Sequence, residues 1–340
     1  MKPHLMNCCM VLGLSAGVAG SAAAEIGTLT VDLSSCWDQA MPLANPHKGW
    51  YHHFYDNGMR KYLPPRDEDL LDFPGMDHIY LRLAWAYLEP QEGEFHWEVL
   101  DNVIEKWTAL GLGVAFRISC RETGRDPVEQ RFATPQWVIK AGAKGEHWAR
   151  NKEPGDPELP WEPIYDDPVF LEKLEAFIAA FAERYDGKPW LRYVDVGSLG
   201  DWGEGHTSSG SGKRYDWRAR IKHLEIHART FKRTLVVVTD DFVREAGTDE
   251  GRTKLHQYVL ENGMSYRDDS ILVDYWIGRD GKTFSVANPE YFQGVYRDHP
   301  TVLELQHLYA YAAEGKWEGR AGTPLAKFKA TGPEFVRGAL

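Results

Sequence analysis

The 340-residue chain is poor in cysteine: it has four, and Cys8 and Cys9 sit at its very start. Neither Cys36 nor Cys120 has a CxxC or histidine partner at metal-ligand spacing, which argues against a zinc site and leaves a disulfide or two buried thiols open. Positive charge is also lacking. A net charge of -11 argues against nucleic acid, whose phosphates need a basic surface, and against docking on anionic lipid. No GxGxxG turn follows the first strand candidate, no serine elbow or HExxH is present, and the glycine run near Gly200 has no P-loop lysine. These absences remove dinucleotide binding, nucleoside triphosphate binding, serine hydrolysis and zinc proteolysis from the leading readings.

What the chain does have is core-forming material: 43% apolar residues and 13 tryptophans, enough for a large folded domain. Its start reads as a signal peptide. Lys2 is basic, Leu5 to Val18 is apolar, and Ala22-Ala23-Ala24 supplies the small residues that precede cleavage before Glu25. The apolar stretch is too short and too rich in glycine and alanine for a membrane span. Export to the periplasm or medium is expected, with residues 1–24 as the signal and 25–340 as one domain.

Short runs rich in β-branched and aromatic residues then alternate with helical stretches. The strands are predicted at Gly49–Phe54, His78–Ala84, Gly113–Ser119, Leu191–Gly197, Thr234–Thr239, Ser270–Tyr275 and Thr301–Leu305. The clearest helices are predicted at Glu98–Leu110, Pro168–Tyr185, Trp217–Phe231 and Gly251–Asn262. In the second of these, Phe170, Leu174, Phe177, Ile178 and Phe181 make one stripe, with Asp167-Pro168 as start signal and Gly187 as stop. Strand–helix alternation implies a parallel sheet, and seven units in one run favour a TIM-type (β/α) barrel. No eighth strand follows Leu305, so truncation or an open barrel is expected. The stretch from Arg121 to Tyr165, rich in Pro, Gly, Trp and charge, is predicted to lie over the barrel mouth.

Barrel active sites are built at the carboxyl ends of strands, so each strand nominates residues. They are Arg82 and Trp85 on the second, Arg117 and Arg121 on the third, and Asp201, Trp202, Glu204 and His206 after the fourth. Asp240 follows the fifth, Asp274 and Trp276 the sixth, and Glu304 the seventh. Two carboxyl groups, one protonated and one ionised, are what glycoside cleavage requires. Arginines orient a carboxylate, and indoles offer sugars a stacking floor. His52 and His53 point to opposite faces of a strand, which disfavours a shared metal, and no cofactor or metal is called for.

The stretch Leu88-Glu89-Pro90-Gln91-Glu92-Gly93-Glu94-Phe95-His96-Trp97, followed by Leu100-Asp101, resembles the signature after strand two in the glycosidase clan that includes the family 42 β-galactosidases. Arg82 is similar to the arginine of that clan's second strand. Asn45 to Trp50 and Gly200 to Thr207 resemble a less characterised branch with N-P-x-x-G-W and G-x-W-G-E-x-H motifs. The resemblance implies Glu204 as acid/base and Glu304 as nucleophile of a retaining glycosidase acting on an oligo- or polysaccharide. Arg82, Trp85, Arg117, Trp202, His206, Asp240, Asp274 and Trp276 would then bind substrate. One departure stands out: the clan's Asn-Glu at the end of strand four is replaced by Gly197-Ser198, so Glu204 must reach back from several residues on. Asp201 or Asp240 is the alternative acid. A non-catalytic sugar-binding barrel or inactive fragment, and a metal-dependent hydrolase, are the rival readings.

Overall fold

The computed structural model describes residues 49–55, 67–72, 75–123, 131–271 and 288–305. In chain order these form β1 (Trp50–Tyr55), α1 (Asp67–Asp72), β2 (Met76–Ala84), α2 (Glu98–Ala109), β3 (Gly113–Ser119) and α3 (Gln136–Lys140). Next come β4 (Gly145–His147), β5 (Trp161–Pro163), α4 (Pro168–Tyr185), β6 (Leu191–Asp195), α5 (Trp217–Thr230) and β7 (Leu235–Thr239). The run ends with α6 (Asp240–Arg244), α7 (Asp249–Glu261), β8 (Ser265–Ile271), α8 (Pro289–Val295) and β9 (Val302–Leu305). Cys8, Cys9, Cys36 and the expected signal peptide lie outside the described residues.

Seven strands make one sheet in the order β1-β2-β3-β6-β7-β8-β9, and every pair is parallel. Each strand pairs with the next in sequence and the order never reverses. That is the winding of a TIM-type (β/α) barrel rather than of a doubly wound sheet, whose order turns back at a switch point. Among the described residues no backbone ladder joins the edge strands β1 and β9. Their inner side chains nevertheless meet: His53 Nε2 stands 3.4 Å from a Glu304 carboxylate oxygen. Across the same interior, the Arg267 guanidinium of β8 lies 4.5 Å over the Tyr80 ring of β2.

Strand parity separates two cores. Ile79, Leu81 and Leu83, Val114, Phe116 and Ile118, Val194 and Val196, and Val236 and Val238 join the main core with the helices. Tyr80, Ala115, Tyr193, Val237 and Val302 face the other way and pack together inside the curl. Sheets covered on both faces read as continuous apolar runs, which is why most strands were legible. The helices formed as their signals require. The Asp167 carboxylate accepts the N–H groups of Val169 and Phe170 at 3.1 and 3.0 Å, capping α4, and Gly187 beyond its end has φ +73°.

The sixth strand is a correction. It runs Ser265–Ile271 rather than 270–275. Its Arg267 and Asp268 are buried charges, so tracking apolarity passes over it. The insert also holds structure: α3 and the antiparallel β4–β5 pair. No described helix is long and apolar enough to cross a membrane.

Candidate active site at the strand carboxyl ends

One step toward the carboxyl ends from the aromatic inner layer, the inward positions become charged. Tyr80 is followed on its face by Arg82, Ala115 by Arg117 and Tyr193 by Asp195, and Arg117 pairs in register with both Arg82 and Asp195. Arg117 and Arg267 are fully buried. Arg117 donates through Nε to Asp195 Oδ2 at 3.3 Å, through Nη2 to Asp269 Oδ1 at 3.0 Å, and through Nη1 to Glu204 Oε1 at 3.4 Å. Arg267 donates through Nε to Asp269 Oδ1 at 2.6 Å, meets Asp195 at 3.6 Å, and pairs through Nη2 with Glu304. The Tyr80 hydroxyl donates to Asp195.

Burying guanidinium charge costs several kcal/mol per ion, so these groups persist only because each is paired. Burial pushes the Asp269 carboxyl up, but Arg117 and Arg267 outweigh it and hold it far below the usual range. Glu204 and Glu304 thus belong to one chain of ion pairs running through Arg117, Asp195 or Asp269, and Arg267.

The loop after β6 answers how Glu204 returns to the barrel. Gly200, Gly203 and Gly205 all have positive φ, at +89°, +76° and +83°. A Cβ on Gly203 would lie 2.5 Å from Gly197 O, and one on Gly205 2.5 Å from Phe242 Cα. Only glycine allows such close backbone approaches together with these torsions. Trp202 adopts φ +53° without being glycine, a costly conformation kept by its surroundings: its N–H donates to Arg121 O at 2.9 Å. The tight turn brings Glu204 onto Arg82, whose Nη1 donates to Oε1 at 2.8 Å. Thr239 Oγ1 at the end of β7 donates to the Glu204 carbonyl at 2.9 Å. Gly205→Ala is expected to lower unfolding free energy by about 1–3 kcal/mol through torsional cost and the Phe242 clash. Urea denaturation checks it, and a midpoint equal to wild type would refute this account of the turn.

Asp201 is committed elsewhere. It pairs with buried Arg121 and accepts the Ser209 N–H at 2.6 Å. Arg121 also meets Glu162 of β5 at 3.2 Å, and Glu162 accepts from Ser211 N and Oγ at 2.9 and 2.5 Å. The β4–β5 hairpin of the insert is therefore tied to the Glu204 loop through buried charge. His206 bridges Asp201 and Glu204, at 3.4 and 3.3 Å. Burial opposes its protonation, but these two carboxylates prevail and push its pKa up to about 10.

The remaining nominated residues divide. Glu304 reaches the inner face with its side chain 20% exposed, comparable to the 15% of Glu204. Trp202 is half-buried with its ring edge-on to His206. Trp85 does not line the mouth. It is fully buried in the outer core, stacked on Phe177 and donating Nε1–H to Glu89 at 2.8 Å, because Ala84 ends β2 and turns the chain toward α4. Arg117 is enclosed by carboxylates, so it acts on them rather than on a ligand. Asp240 is buried, its Oδ2 accepting from Asn288 Nδ2 at 2.5 Å, and burial and the nearby Asp268 raise its pKa well above the carboxylate range. Asp274 and Trp276 lie outside the described residues.

Sequence reasoning missed Asp195, Arg267, Asp269 and Tyr80, and it named His53 without placing it beside Glu304. Asp195 and Tyr80 were hidden in apolar runs, although both share the inward parity of a nominated neighbour. Arg267 and Asp269 fell outside the predicted sixth strand. Among the described residues, no group of three or more His, Cys, Asp or Glu side chains could hold a metal ion, and Cys120 is a buried free thiol.

A singly wound parallel sheet with carboxylates and arginines gathered at its strand ends is the arrangement of a TIM-type (β/α) barrel. Within it, residues 67–198 match glycoside hydrolase family 42, described as β-galactosidase, so the likeness to that clan holds over this segment. The match spans α1 through the end of β6 and stops before Glu204. Solved structures similar to the chain include a psychrophilic family 10 endo-β-1,4-xylanase, with 12% identity, TM-score 0.40, and coverage of 74% of this chain and 75% of that one. A β-galactosidase from psychrophilic Marinomonas ef1 has 13% identity and TM-score 0.37, over 62% of this chain and 38% of that one. Endo-glycoceramidase II from Rhodococcus sp. has 12% identity and TM-score 0.39, over 75% and 72%. A comparison with curated proteins found no match. The chain thus spans little more than a third of the β-galactosidase's length.

Proposed function

We propose that this protein is an exported glycoside hydrolase that cleaves O-glycosidic bonds in an oligo- or polysaccharide with retention of configuration. Glu204 is the acid/base and Glu304 the nucleophile. The observation that carries the reading is their joint placement: both carboxylates reach the inner face near the strand ends, both are partly exposed, and both are gripped by guanidiniums of one network. Arg267 pairs with Glu304, and His53 stands 3.4 Å from the same oxygen, so the attacking carboxylate is held from two sides. Glu204 gives its proton to the leaving oxygen, the anomeric carbon bonds to Glu304, and water then releases the sugar as Glu204 takes a proton back. Arg82 and His206 orient Glu204, and Trp202 offers the mouth an aromatic face.

Because the matched family is described as β-galactosidase, galactosides are the first substrates to assay. Nitrophenyl glycosides and oligosaccharides serve as the panel. Turnover by wild type, with each of Glu204→Gln and Glu304→Gln deficient, is the expected result. Sugar binding without turnover on any member would favour the non-catalytic barrel instead. Export rests on Lys2, the apolar stretch from Leu5 and Ala22–Ala24. Expression in a secreting host is expected to yield mature protein beginning at Glu25, read by N-terminal sequencing, and a retained Met1 would contradict it.

A further inference from the structure

The mouth contains an arrangement that the two-carboxylate reading does not use. Asp201 Oδ2 stands 3.4 Å from His206 Nδ1, and His206 Nε2 stands 3.3 Å from Glu204 Oε2. We infer that Asp201 and His206 are positioning residues for Glu204, Asp201 fixing the imidazole ring and the ring's far nitrogen holding the one Glu204 oxygen that the arginines leave free. The inference rests on the reading of Glu204 as acid/base.

Three facts carry it. The first is the division of Glu204's oxygens: Oε1 receives Arg82 at 2.8 Å and Arg117 at 3.4 Å, while Oε2 faces only His206 among these. The second is that Asp201 is itself immobile. Its side chain is fully buried between Arg121 and the Ser209 N–H, so it cannot drift from the ring. The third is the origin of the ring's position. The Asp201 N–H donates to His206 O at 2.6 Å, closing the Gly200–His206 turn that carries all three residues.

The protonation of the ring follows from its neighbours. Ser208 Oγ lies 2.9 Å from Nδ1 and can accept its proton, whereas the Ser208 N–H at 3.4 Å would prefer that nitrogen bare. The latter contact is long, and two carboxylates outweigh it. His206 is therefore an imidazolium at neutral pH, and its Nε2 faces Glu204 Oε2 at 3.3 Å. Charged groups facing this pair are Arg82 from β2, Arg117 from β3, Asp201 within the loop and Asp241 at the start of α6, which feels both His206 and Glu204.

The sign is fixed by this geometry. Burial opposes the His206 proton while Asp201 and Glu204 hold it, so neutralising either carboxylate lowers the His206 pKa from about 10.

Nitrogen-15 NMR titration of the His206 ring in wild type, Glu204→Gln and Asp201→Asn tests this without any substrate. The expected shift of the His206 titration in each variant is downward by about one pH unit. Identical His206 titrations in wild type and Glu204→Gln would overturn the inference. A shifted titration in a protein that turns over no glycoside would leave the positioning intact and sink the catalytic reading. Should Asp201→Asn fail to fold, since Asp201 also anchors Arg121, Glu204→Gln reads the same effect alone.

Discussion

Glu304→Gln is expected to lower kcat/KM on the order of 10^4-fold while leaving the protein folded. The carboxamide cannot form the glycosyl bond that the proposed first step requires. Folding survives because Arg267 keeps Asp269 at 2.6 Å and Asp195 at 3.6 Å, so the buried guanidinium is not left alone. Glu204→Gln should behave differently. Its loss of about 10^2–10^4-fold is expected on substrates with poor leaving groups and should shrink on activated aryl glycosides, whose departure needs no proton. Steady-state kinetics on both substrate types separates the roles. Equal, substrate-independent losses in the two variants would contradict the division between acid and nucleophile.

Arg117→Met is expected to be the most damaging single change to stability. It removes a fully buried cation from Asp195, Asp269 and Glu204 at once. Breaking a buried pair by deleting one partner costs about 3–5 kcal/mol, because the remaining charge stays desolvated. Arg267 still contacts Asp195 and Asp269, which keeps the loss within that range rather than beyond it. Urea denaturation of the variant against wild type reads the difference, and a change below about 1 kcal/mol would show that the network is better solvated than its burial implies.

The fold was largely legible because a parallel sheet covered on both faces writes apolar runs into its strands, and β2, β3, β7 and β9 fell where those runs are. The caps and stripe of α4 placed that helix to the residue. What failed was β8, whose inward residues Arg267 and Asp269 are charged and paired across the interior. A strand that buries charge gives no apolar signal. For the candidate site, strand-end reasoning nominated Arg82, Arg117, Glu204 and Glu304, which the structure places in one ion-pair network. It missed their neighbours because ion pairing links residue 195 to residues 267 and 269, some seventy positions further along the chain. Trp85 was misplaced for the opposite reason: an indole just past a strand end looks like a sugar platform, yet the chain turns at Ala84 and buries the ring under Phe177. No local signal separates those two fates.

The claim at the centre of this account is that Glu304 is the carboxylate that bonds to sugar. Incubation with a panel of activated 2-deoxy-2-fluoro glycosides, followed by mass spectrometry of the intact protein and its peptides, tests it most directly. The account predicts one glycosyl adduct per chain, on the peptide carrying Glu304 and absent from Glu304→Gln. An adduct on Asp269, Asp195 or Glu204, or hydrolysis of glycosides with inversion and no adduct at all, would contradict it.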